Sequence, residues 1–95
     1  MRWLIERQLR KTAARLRSAR EELENLGYEV ASFSSDTDDL RTLAVVADRV
    51  DADNDFDVAS HQLNVLVRAK RDLQARISGL EQKQDLLLDR LSAGK

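Results

Sequence analysis

From Phe56 to Leu91 the sequence places Phe56, Ala59, Leu63, Leu66, Lys70, Leu73, Ile77, Leu80, Gln84, Leu87 and Leu91 at alternating spacings of 3 and 4. About five such heptads mark a helix that buries one narrow stripe against another helix, and they constrain the fold more than any other feature. Proline is absent, glycine stands only at Gly27, Gly79 and Gly94, and charged residues make up 35% of the chain. That composition belongs to long helices rather than sheets. The expected fold is all-α: a helical hairpin or three-helix unit with a long C-terminal coiled-coil helix. Its 95 residues form at most one domain, and so short a chain gains from a partner because it buries a modest share of its surface alone.

Upstream, Ile5, Leu9, Thr12, Leu16, Ala19, Leu23 and Leu26 repeat the same spacing. A first helix is expected over about 2–26, closed by Gly27, since glycine best takes the left-handed conformation at a helix end. Residues 27–35, reading GYEVASFSS, mix β-branched and aromatic residues with no evident helical period and suit a connector. Ser35 followed by Asp38 resembles a capping box, which starts a second helix over about 36–50 with Leu40, Leu43, Ala47 and Val50 as its stripe.

Extending that stripe beyond Val50 leads to Asn54 and Asp57 rather than to Phe56 and Ala59. The register therefore breaks, and a corner is expected at 51–55 before the long helix of about 56–92. Before residue 70 this helix adds Val58, Val65 and Val67, enough for two apolar faces; beyond it the seam is narrower. The first two helices would pack on its early part and its later part would pair with another chain, Lys70 and Gln84 setting register or oligomer number.

The corner reads DADNDF, and its aspartates raise the question of a metal. Asp51, Asp53 and Asp55 match the first three ligand positions of a calcium loop, with Asp57 beside them. Two requirements fail: Phe56 stands where the loop needs a left-handed glycine, and Gln62 replaces the bidentate glutamate. No metal and no cofactor are expected, the aspartates serving to start a helix. His61 is the only histidine; with Asp57 it makes two ligands at most, too few for a specific site. Ser60 and His61 are sequence neighbours whose side chains diverge on a helix, so they form no nucleophile and base pair. There is no phosphate loop or cofactor fingerprint, and the chain is not expected to be an enzyme.

Charge is unevenly distributed. Residues 1–20 carry seven bases against Glu6, net +6; residues 21–57 carry twelve acids against Arg41 and Arg49, net -10; residues 58–95 are net +3. On the first helix Arg7, Arg10, Lys11 and Arg17 are candidate contacts for an anionic partner, with Trp3 expected to plug the end of the core. No cysteine is present, and no apolar run reaches the roughly 18 residues of a membrane span. A cytoplasmic protein is expected.

The functional expectation is a non-catalytic coiled-coil interaction or oligomerisation protein, an adaptor or scaffold that forms a homo-oligomer and docks a larger protein partner. Leu66, Leu73, Ile77, Leu80, Leu87 and Leu91 would carry its interface. The alternative is a small transcription-associated or nucleic-acid-linked regulator that uses the acidic hairpin region and the basic first helix.

Overall fold

A computed structural model describes residues 2–94 and contains two helices, α1 over Arg2–Ala47 and α2 over Val50–Ala93. The all-α fold is thus a hairpin of two helices, not a three-helix unit. Contacts sort into two units. The first pairs α1 through Leu23 with α2 from Asp72 onward; the second comprises residues 24–71 and includes the turn.

The main departure from expectation is that α1 does not stop at Gly27. The 3 and 4 spacing carries on from Leu26 through Val30, Phe33, Thr37, Leu40, Ala44 and Ala47, and the helix follows it. Residues 27–35 are therefore helical, and Ser35 and Asp38 lie inside a helix rather than capping one. Gly27 has no left-handed backbone. The inward face overrides local propensity here, because packing a continuous seam outweighs the few tenths of a kcal/mol lost at each β-branched residue. Thr37 is buried on this seam at 4% exposure. Its hydroxyl donates to the Phe33 carbonyl oxygen at 2.7 Å, so burial leaves no orphaned polar atom.

The register break is real but lies earlier than residues 51–55. It falls at Asp48 and Arg49, between Ala47, the last seam residue of α1, and Ala52, which is buried and begins the 3 and 4 spacing of α2. Asp48 ends α1 with φ 50°, and its N–H donates to the Ala44 carbonyl at 3.1 Å. This is the left-handed helix cap with an aspartate in place of the usual glycine. The Arg49 carbonyl then accepts from the Asp53 N–H at 3.1 Å and opens α2. Asp51 and Asp53 occupy its first turn, where the positive end of the helix dipole favours them. Small seam residues flank the turn: Ala44 and Ala52 are both buried, and neither pushes the backbones apart.

The two units are filled differently. In the first, Leu16 is 1% exposed, and Thr12, Ala19, Leu73, Ile77 and Leu87 are buried, while Ile5, Leu9, Leu23, Leu80 and Leu91 are half-buried. Arg20 of α1 reaches Glu81 of α2 at 3.7 Å and Ile5 lies beside Leu91, so the two helices run antiparallel there. In the second, the buried residues are Thr37, Ala44 and Ala52, none of them large. Its larger seam side chains, Leu26, Val30, Leu40, Phe56, Leu63 and Leu66, are half-buried. Arg41 lies over the Phe56 ring at 5.6 Å from its centroid, a cation–π contact across the hairpin worth about 0.5–1 kcal/mol at an exposed site.

A Cβ added at Gly27 would meet nothing within 4 Å. Gly27→Ala is therefore expected to raise the unfolding free energy by about 0.5–1 kcal/mol in denaturant titrations followed by circular dichroism, as for an interior helical glycine. A loss of stability would place a helix end at Gly27.

Candidate interaction surface

The six residues expected to join chains occupy the interior of one chain. Leu73, Ile77 and Leu87 are buried, and Leu66, Leu80 and Leu91 are half-buried. Leu80 shares a groove with Ala19, Leu91 shares one with Ile5, and Leu66 shares one with Phe33. The later part of α2 thus meets the start of α1 within the chain, because both carry the same seam over matching lengths. Lys70 and Gln84 are half-buried within the same seam.

The aspartates of the opening turns of α2 do not assemble. Successive members of Asp51, Asp53, Asp55 and Asp57 are two residues apart on a helix, about 200° of rotation, so they point to opposite sides. Asp51 is engaged by Arg49, at 3.8 Å. No group of three or more metal-ligating side chains occurs among the described residues. Arg7, Arg10, Lys11 and Arg17 are exposed but fan around the outside of α1, at three different heptad positions. Trp3 is 59% exposed and plugs nothing: it falls on the outward face of the α1 heptad.

What α1 and α2 leave uncovered is concentrated in the second unit. Val45, Val46 and Val50 beside the turn are 77%, 78% and 77% exposed. Leu43, Val58, Val65 and Tyr28 are exposed as well. On one side of this unit Phe33, Val65 and Leu66, with Glu29, His61 and Gln62 at the rim, line an apolar groove of about 350 Å³. Of the three valines that the sequence adds before residue 70, Val58 and Val65 stand exposed on this open side, and Val67, at an e position, is half-buried. His61, which offered no metal site, forms part of the groove wall.

The first unit has a groove of about 430 Å³ with a different lining: Arg15, Ser18, Ala19, Glu22, Arg76 and Leu80. Charge follows the same division. Residues 1–23 and 72–95 hold eleven bases against seven acids, net +4, whereas residues 24–71 hold five bases against ten acids, net -5.

No protein-family model, curated protein or solved structure matches this chain. Among the described residues no helix is long and apolar enough to cross a membrane.

Two outcomes test these placements. Ile77→Asp puts a charge at a position 7% exposed and is expected to abolish the helical circular dichroism signal, since an unpaired buried charge costs several kcal/mol, comparable to the total stability of a small domain. A variant that stays helical and only changes mass would restore residue 77 to an interface between chains. Calcium is expected to leave the melting temperature unchanged, and a calcium-dependent rise would require the aspartates to converge.

Proposed function

We propose that this chain is a non-catalytic interaction protein, an adaptor or oligomerisation module. Its second unit presents an apolar, acid-rimmed surface to a partner helix. The observation that carries this reading is the imbalance in core filling: the seam of the second unit is only half covered, and Val58 and Val65 stand 58% and 52% exposed beside the Phe33 groove. Contiguous exposed apolar residues within a charged rim mark interaction surfaces more often than isolated ones do. Helix-in-groove docking is the mode that fits, with anchors one helical turn apart entering the groove.

A second reading, a regulator that places its acidic hairpin end in a basic channel of a nucleic-acid enzyme, is favoured by Asp48, Asp51, Asp53, Asp55 and Asp57 clustering around the turn. It expects binding to polymerase, DNA or RNA that falls steeply with salt. The first reading expects binding to a protein surface and none to DNA or RNA.

A photoreactive side chain placed at residue 65 in the source cells, compared with one at the exposed polar Asn25, separates surface from background. Adducts at 65 and none at 25 are expected. Equal adduct levels at both positions would overturn the reading.

A further inference from the structure

The grooves and their rims share a heptad relationship that bears on what covers the second unit. Taking the seam as the a and d positions, each unit has a side formed by its own g and c positions, and each unit's groove opens on its own g and c side. In the first unit this side carries Lys11, Arg15, Arg76, Lys83 and Arg90 against Glu22 and Asp72. In the second it carries Glu29, Asp36, Asp39 and Asp55, with Asp51 tied to Arg49, and no base at all. The opposite, e and b, sides are less segregated: Arg10, Arg17 and Arg20 are balanced by Glu6, Glu81 and Asp85 in the first unit, and Glu24, Asp38, Asp53 and Asp57 face Arg41 and Arg71 in the second.

We propose that the partner of this surface is a second copy of the chain, the basic side of the first unit of each copy lying on the acidic side of the second unit of the other. The surface is self-complementary in the sense a two-fold axis requires, because if a first unit attracts a second unit, the reciprocal contact is made by the same residues in exchanged roles. A parallel pairing, unit against like unit, would oppose bases to bases and acids to acids. Apolar chemistry agrees. Leu86, 59% exposed on the c side of the first unit, is the large apolar side chain available to the Phe33, Val65 and Leu66 groove of the other copy. The pairing also supplies the second helix face that Val58 and Val65 lack within one chain. It rests on the interaction reading above and names the partner for it.

Charge exchange tests the pairing directly. The full-length wild-type chain is expected to sediment at twice its monomer mass in low salt and to shift toward monomer in high salt, because exposed pairs are screened. One variant carries Arg15→Glu, Arg76→Glu and Lys83→Glu, and the other carries Glu29→Lys, Asp36→Lys and Asp55→Lys. Each alone is expected to be monomeric and helical, because both of its contacts become repulsive. Their equimolar mixture is expected to recover the dimer mass, since one copy is then acidic on both units and the other basic on both. Recovery in the mixture also shows that both variants fold. A wild type that is monomeric in low salt, a variant that dimerises alone, or a mixture that stays monomeric overturns the proposal. Adducts from residue 65 to a different protein would then leave the interaction reading standing without self-pairing, while their absence would remove both.

Discussion

Everything in this fold depends on one seam: apolar side chains spaced 3 and 4 apart along α1 meeting the same spacing along α2. No sheet, disulfide or third helix shares the load among the described residues. A two-helix interior cannot enclose large side chains on all sides, so the quality of the seam varies with the residues placed on it. Where Leu16, Leu73, Ile77 and Leu87 fall, burial is nearly complete. In the second unit, where the buried residues are Thr37, Ala44 and Ala52, the helices still pair, but the larger seam residues retain contact with water.

That variation links packing to the surface left exposed. The second unit is acidic and incompletely covered, and Val58 and Val65 lie on a face of α2 that the chain's own first helix does not cover. The first unit is basic and buries four large seam residues, Leu16, Leu73, Ile77 and Leu87. Close packing and exposed apolar area therefore fall on different stretches of the same two helices.

The fold class and the seam of α2 were legible in the sequence because eleven positions obey one period without exception from Phe56 onward. The seam of α1 was legible only as far as Leu26. There a glycine, an aromatic and β-branched run and the polar Thr37 conceal a period that in fact continues. These residues carry local signals for an end or a turn, and they are overruled by the seam that Val30, Phe33 and Thr37 continue against α2. The true turn is marked by the shift between Ala47 and Ala52, which the broken register revealed while locating it a few residues late. No local motif announces it, since an aspartate performs the left-handed turn that glycine usually performs. The surface was half legible: the extra valines before residue 70 were visible as a second face, but whether α1 would cover them depended on the length of α1.

The two-residue turn at Asp48 and Arg49 has an evolutionary corollary. With almost no slack between the helices, one residue gained or lost within either helix rotates all that follows by about 100° and slides the antiparallel partners out of step. Length can change without that shift only outside the paired segments, at the turn itself, or by whole heptads matched in both arms. Such a chain behaves as a ruler with fixed graduations. Substitutions at outward positions leave those graduations in place, whereas one residue inserted or lost within a helix does not.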